Sequence, residues 1–538
     1  MKSRLVRNLA VPSSKPGIAK ELERHADIIL KPTITNVGNS SSSNSKVKIL
    51  GVFQEDVDDR VKAKIGPQFE GKPGQRTIVY DVDYVLGRHG RRILYGRDEP
   101  KCYFVYVGLG PKNKFDAEAA RKFGAVAVRT AEELKSAEVD ILLPTLERKL
   151  AETAENIVLG AGLASYRFNR KIGTPKNEEP TQVNSLTLMM PEPGIFDAIE
   201  RGLIRADCQN TSRYLTDMPS NELNTGRYVS LLQLLAWKYE LQFGILTPEQ
   251  LLEMGRGGIY TVGRGAAVPG AMVILGRFTD EKAPLDVLVG KGIVFDTGGY
   301  SLKTPSEHMN GMHMDMQGSA SVAGAIAAAA KLSVGGNVLG LLCIAQNAVG
   351  PEAVMPTAIA KIGDRTVQIM NTDAEGRLVM GDGVSVGSEL RPRSITTLST
   401  LTGACILACG EGMRAGLMTT DDKLRELYLR AGEVTGEKIQ PFFMDHPFLT
   451  GVLGKGGPAD LLNLGPRPGG HLTAQAFLKA FAHHTNSKGK EVEVPYAGLD
   501  MAPVMTADGA LAEDPRFRGA KYATGWGVQL LTEALARK

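Results

Sequence analysis

Cysteine is scarce in this 538-residue chain, which holds five: Cys102, Cys208, Cys343, Cys405 and Cys409. The number is odd and no pair has C-x-x-C spacing, which argues against a disulfide framework and a zinc ribbon. The five read as buried apolar side chains in a reducing compartment, and Cys405 and Cys409, four apart, can share a helix face. Aromatics are few, 6% with two Trp, so there is little stacking surface for single-stranded nucleic acid. Neither sign of charge dominates: 63 basic against 59 acidic residues leave +4. That argues for neither a nucleic acid nor an anionic membrane as partner. No apolar run reaches the ~18 residues a transmembrane helix needs, so none is expected.

Glycine is plentiful instead, at 61 residues, or about 11% against a usual ~7%. Tight turns and close backbone approaches should be frequent. Hydrophobic residues at 43% and charged residues at 23% are ordinary for a globular protein and exclude wholesale disorder. At ~150 residues per domain the length allows two to four domains. The first twenty residues carry Lys2, Arg4, Arg7, Lys15 and Lys20 with no acid before Glu21. A transit peptide has that character, and so has a frayed basic terminus. The first points to mitochondria, the second to the cytoplasm.

Asn39–Ser45 is a polar patch rich in serine, expected to be a loop or linker. Beyond it, Lys46–Phe53, Thr77–Val82 and Tyr103–Gly108 read as strands. Phe115–Phe123 and Leu146–Leu163 read as helices. Gly108-Leu109-Gly110 lacks the third glycine of a dinucleotide fingerprint and reads as a turn. From about residue 205 the alternation resumes: Leu285–Val289, Ile293–Phe295, Val338–Ala345 and Ile395–Leu401 as strands, Ala320–Leu332 as an alanine-rich helix. This predicts an α/β protein. A smaller N-terminal α/β domain precedes a larger C-terminal α/β domain with a mixed, mostly parallel central sheet. The expected division is 1–46 tail and linker, 47–172 first domain ending in a connecting helix, 173–204 linker, and 205–538 second domain. Ligands in such sheets sit at the carboxyl ends of strands.

Three segments carry chemistry at such ends. In Val289–Lys303, Lys291 closes one expected strand and Asp296 another, ahead of Gly298-Gly299. The alternative is a solvated turn with its lysines outward. In Met312–Gly318, Asp315 lies among methionines just before the alanine-rich helix, where it could equally be a helix N-cap. His308 and His313 are nearby, as metal ligands or as surface groups; His483 and His484 lie in a polar stretch. In Asn371–Leu378, an extended backbone would project Asp373, Glu375 and Arg377 to one side. A surface Arg–carboxylate pair is the alternative. Together Asp296, Asp315, Asp373 and Glu375 supply hard oxygen ligands. Four converging carboxylates repel unless cations neutralise them, and two divalent ions ~3.5–4 Å apart would do so and activate a bridging water.

These residues carry a resemblance. Asn371–Leu378 reads NTDAEGRL, which resembles the signature octapeptide of the M17 leucyl aminopeptidase family at all eight positions. Val289–Lys303 resembles that family's VGKG…FDSGG…K stretch, with Thr297 in place of Ser. Leu398–Ala404 (LSTLTGA) resembles its TLTGA element, Tyr214–Leu223 the opening of its catalytic domain, and Asn156–Arg170 the helix joining its domains. The resemblance spans roughly residues 100–538.

The resemblance implies an aminopeptidase that removes N-terminal residues, preferring Leu, Met and other uncharged ones, from short peptides. Lys291, Asp296, Asp315 and Glu375 would hold the tight metal, and Asp296, Asp373 and Glu375 the exchangeable one. The ions would be Zn²⁺, Mn²⁺ or Co²⁺, with Mg²⁺ also possible. Lys291 would ligate as a neutral amine, its pKa lowered by burial and by the cations. Lys303 would stabilise the oxyanion, and Arg377 would hold a bicarbonate acting as general base. Met312, Asn371, Thr400, Leu401, Gly403 and Ala502 would line or orient the substrate. The assembly would be a homohexamer, a dimer of trimers. Departures from the family pattern are one extra residue between Lys303 and Asp315, Gln317 in place of Gly, Tyr300 before Ser301, and His313 at the pocket rim. They bear on substrate preference more than on catalysis. A Cys-Gly-type dipeptidase, and a DNA-binding or structural role on the same fold, are the alternative functions.

Overall fold

A computed structural model describes residues 9–31, 34, 36–39, 45–59, 62, 68–73, 75–81, 102–142, 149–168, 180–189, 195–280, 282–519 and 521–538. The first basic residues, most of the serine-rich patch, and parts of the expected connecting helix and linker lie outside the described residues.

The chain divides into two compact units. One comprises Lys31–Asp207 with Glu513–Arg518; the larger comprises Met1–Leu30, Cys208–Ala512 and Gly519–Lys538. In the first unit six strands form one sheet: β1 (Asn36–Asn39), β2 (Val47–Phe53), β3 (Arg76–Asp81), β4 (Cys102–Gly110), β5 (Glu138–Leu142) and β6 (Ser185–Met189). Their order is β1-β6-β5-β2-β4-β3, all parallel except the β3–β4 pair at the edge. The apolar faces of α1 (Ala117–Glu133) and α2 (Leu150–Ser165) complete its core. The unit boundary falls inside α3 (Ile195–Asp217).

The larger unit is built on eight strands: β7 (Gln242–Leu246), β8 (Ala271–Arg277), β9 (Leu285–Asp296), β10 (Asn337–Asn347), β11 (Ser394–Ser399), β12 (Ala415–Thr419), β13 (Ile439–Phe442) and β14 (Tyr496–Asp500). Their order is β13-β12-β14-β11-β9-β10-β8-β7. The central β14, β11, β9 and β10 are mutually parallel, and the antiparallel pairs flank them. The mixed, mostly parallel sheet read from the sequence is therefore present. Leu9 is buried in this unit's core and Ala10 bridges to Phe243, so this part of the basic N-terminal stretch is packed. Among the described residues no helix is long and apolar enough to cross a membrane.

The two apolar runs Leu285–Val289 and Ile293–Phe295 are one strand, β9, and not two. Glycines at 290 and 292 look like a break because glycine is depleted in strands. Here they admit α5 (Gln317–Lys331): a Cβ on Gly290 would lie 2.5 Å from the Ser319 Cα. Side chains alternate along a strand, so Lys291 points to the opposite face. There it meets α6 (Gly376–Glu389), where a Cβ on Gly376 would lie 2.5 Å from Lys291 Cε. Helices thus cover both faces of the sheet, as its continuous apolar strands require.

Candidate active site

The register of the parallel strands brings four strand ends to one crevice. Asp296 ending β9 is level with Asn347 ending β10, and Ser399 ending β11 is level with Asp500 ending β14. The residues singled out from sequence gather there. Lys291 is 3%, Asp296 3%, Asp315 5% and Glu375 2% exposed. One oxygen each from Asp296, Asp315 and Glu375 lies within 4.8 Å of the others. Lys291 Nζ stands 2.8 Å from Asp315 Oδ2, 2.8 Å from Glu375 Oε1, and donates to the Thr400 carbonyl at 3.0 Å. Lys303 Nζ stands 2.8 Å from Asp296 Oδ2 and 2.6 Å from Asp373 Oδ1. Both lysines face inward, so the solvated-turn alternative does not hold.

Asp315 does not cap the alanine-rich helix either. The N-cap of α5 is Met316, with no side-chain cap bond, and Asp315 accepts instead from the Thr400 hydroxyl at 2.6 Å. The extended reading of Asn371–Leu378 is also corrected. Thr372 and Asp373 form a turn, Glu375 is the N-cap residue of α6, and Arg377 lies in its first turn. Turn plus helix still bring Asp373 and Glu375 to the cluster. Arg377 is buried, and its Nε and Nη1 have no hydrogen-bond partner among the described residues, so it is not half of a surface ion pair.

Burial and the neighbouring Asp296 push Glu375 up to about 8, and burial pushes Asp315 up to about 6. Burial works against the charge on Lys291, but Asp315, Glu375 and Asp296 outweigh it and hold the ammonium above its ordinary range. That reverses the lowering expected from burial. Lys303 is likewise held up by Asp296 and Glu375 against its burial. Arg377 is lowered to about 10 by burial, opposed by Glu375 and Asp500.

The donor set fits divalent cations. Three buried carboxylates within reach of one point repel one another, and Glu375 Oε2 is buried with no hydrogen-bond partner among the described residues. Such an oxygen is costly unless something positive meets it.

Of the expected substrate residues, Thr400 meets the cluster directly, its carbonyl at Lys291 and its hydroxyl at Asp315. Met312 sits on the single turn Met312–Met314, partly buried. Leu401 and Ala502 both donate backbone N–H groups to Asp500 Oδ1, at 3.1 and 3.2 Å. Gly403 opens the short helix α7 (Gly403–Cys409), with nothing within 4 Å of where its Cβ would be. Asn371 Oδ1 accepts from the Asp373 N–H at 2.7 Å, which closes the turn below Asp373. Exposed His308 and half-buried His313 join no metal-type cluster among the described residues. Half-buried His483 instead faces exposed Asp364 and Glu491, with Arg365 within 3.7 Å of both carboxylates.

Three residues that sequence reasoning missed hold the site in place. Asn347 donates to Asp296 Oδ1 at 2.8 Å and to the Thr372 carbonyl at 3.0 Å. Asn463, fully buried, accepts from the Met370 and Asn371 N–H groups and donates to the Asn371 and Ala374 carbonyls. Asp500, pushed up to about 6 by burial, also accepts from the Thr402 hydroxyl at 2.7 Å. Asn347 and Asp500 each end an apolar run, as Asp296 does, and that signal could have found them. Nothing in the sequence around Asn463 marks it.

Residues 210–532 match the family model described as the cytosol aminopeptidase family, catalytic domain, and residues 98–171 the N-terminal domain of that family. A probable cytosol aminopeptidase from Roseiflexus castenholzii is 33% identical over 519 residues, covering 94% of this chain and 99% of its own. The solved structure of the bottromycin maturation enzyme BotP in complex with Mn superposes with a TM-score of 0.76 at 26% identity, over 92% of this chain and 99% of that one. A tomato leucine aminopeptidase mutant has the same fold, with a TM-score of 0.78 at 24% identity, over 98% and 99% of the two chains.

Proposed function

The chain belongs to the cytosol aminopeptidase family, M17, and from that premise we propose a two-metal enzyme that removes uncharged N-terminal residues, Leu and Met above all, from short peptides. The observation that carries this reading is the buried triad Asp296, Asp315 and Glu375 around Lys291, with Glu375 Oε2 unpartnered among the described residues.

Lys291, Asp296, Asp315 and Glu375 would hold one ion, and Asp296, Asp373 and Glu375 the other, as Zn²⁺, Mn²⁺ or Co²⁺. When bound, the pair supplies an activated water and polarises the scissile carbonyl. Lys291 would ligate as a neutral amine once its carboxylate neighbours were shared with cations. Lys303 keeps its proton, and its Nζ faces the crevice beside Asp296 and Asp373, where a developing oxyanion is stabilised. Arg377 is a buried guanidinium whose Nε and Nη1 have no partner among the described residues, suited to an anion such as bicarbonate acting as general base.

Asp500 sets the substrate loop by holding Leu401, Thr402 and Ala502 together. Met312 supplies an apolar wall that adapts to varied side chains. Cytoplasmic placement rests on the description of the relatives, and a homohexamer on family resemblance.

The test is hydrolysis of aminoacyl-amides by the full chain, dialysed against chelator and then resupplied with Mn²⁺, Co²⁺ or Zn²⁺. Activity that vanishes, returns with metal and favours Leu over Asp supports the reading. Full turnover with no metal by elemental analysis, or a preference for acidic N-termini, overturns it.

A further inference from the structure

The Cys405–Cys409 pair takes no part in the chemistry above. Both thiols are buried on α7, and their sulfurs stand 3.7 Å apart. Two routes could link them, and the separation discriminates. A disulfide needs sulfurs ~2.05 Å apart and Cβ atoms ~3.8 Å apart. Residues four apart on a helix have Cβ atoms ~5–6 Å apart, so that bond would require unwinding the helix. A single tetrahedral cation with two bonds to sulfur of ~2.3 Å spans ~3.75 Å between them. The observed spacing is the edge of that tetrahedron, reached without movement.

We propose that Cys405 and Cys409 form a two-thiolate site for one thiophilic divalent cation of the Zn²⁺ and Cd²⁺ class, separate from the carboxylate centre. Binding replaces two S–H protons by two metal–sulfur bonds and releases both protons, and water completes the coordination. Cys409 ionises first, because its hydrogen bond with Cys405 and the nearby Arg414 lower its thiol against the effect of burial. Access is from the end of α7, where Cys409 is the last residue and 8% exposed, and Gly410 caps the helix at φ +79°. The site also adjoins the substrate loop. Cys405 Sγ contacts the Asp500 carbonyl at 3.7 Å, and the Cys405 N–H donates to Thr402 Oγ1 at 3.1 Å.

The experiment is a Cd²⁺ titration of the full chain with its catalytic centre already loaded with Mn²⁺, followed by ultraviolet absorption. Lysine and carboxylate ligands give no thiolate-to-cadmium charge-transfer band, so the signal reports sulfur alone. The expected result is a band saturating at one equivalent per chain and absent from Cys405→Ser and from Cys409→Ser. Both variants should retain Leu-amide hydrolysis, which shows that they fold. Phenylarsine oxide, whose arsenic bridges two thiols, gives a second reading by intact mass: one adduct per chain, lost in either variant. No band and no adduct on the parent protein, or either signal persisting in Cys409→Ser, overturns the proposal.

Discussion

The Asn347 side-chain amide donates to Asp296 Oδ1 at 2.8 Å, which leaves the other Asp296 oxygen facing Lys303 at 2.8 Å. One strand end thereby sets the rotamer of the carboxylate on its neighbour. The same amide reaches the Thr372 carbonyl, so β9, β10 and the Asp373 turn are held as one piece.

The Asn463 clamp should matter for metal retention more than for folding. Its four bonds bind the turn from Met370 to Ala374 on which Asp373 is carried. At about 0.5–1.5 kcal/mol net per bond, Asn463→Ala frees that turn. We expect weaker Mn²⁺ binding at the site that includes Asp373 and a lower kcat, with the other site still filled. Calorimetric titration checks this, and two unchanged binding isotherms would show that the turn holds itself.

The two proposed metal sites should separate by mutation. Asp296→Ala and Glu375→Ala should each lose both ions, because each carboxylate is assigned to both. Asp373→Ala should retain one ion per chain. Elemental analysis after gel filtration counts them, and equal losses in all three variants would refute the division.

Arg377→Ala should lower kcat by about 10²–10⁴-fold, the usual range for loss of a general base. Metal content and melting temperature should hold. Bicarbonate depletion should slow the parent enzyme, and its return should restore the rate. A variant with fewer metals and a lower melting temperature, and a parent indifferent to bicarbonate, would assign Arg377 to structure.

Asp382 should make stability depend on pH. It accepts the N–H groups of Gly258 and Ile259 at the start of α4 (Gly258–Gly263), and burial pushes its carboxyl up to about 7. Unfolded, it titrates near ~3.9. Between those values the folded state binds the extra proton, so this contribution to stability falls as pH rises, by up to ~1.4 kcal/mol per unit. Urea denaturation of Asp382→Asn between pH 4 and 7 should give a flatter profile than the parent. Parallel profiles would remove Asp382 from the account.

Part of this protein was legible from sequence because its signals are local. Alternating apolar runs and an alanine-rich helix announce a mostly parallel sheet; Lys291 and Asp296 stand where such runs stop, and Lys303, Asp315, Asp373 and Glu375 lie in the segments between its elements. Local reading failed where a residue's conformation answers to a distant partner. Gly290 looks like the end of a strand, yet it marks where Ser319 crosses a strand that continues. Glu375 and Arg377 look like one face of an extended segment, yet they open a helix.

What the sequence determined by itself was the inventory: which carboxylates, lysines and arginine are available, and on which kind of element. What only the tertiary structure decided was their convergence and its support. Asn347 reaches Asp296 across 51 residues, and Asn463 reaches Asn371 across 92. Hydrophobic periodicity records which face of an element is buried. A single side-chain hydrogen bond between distant segments leaves no period, so it exists only once the strands have taken their register.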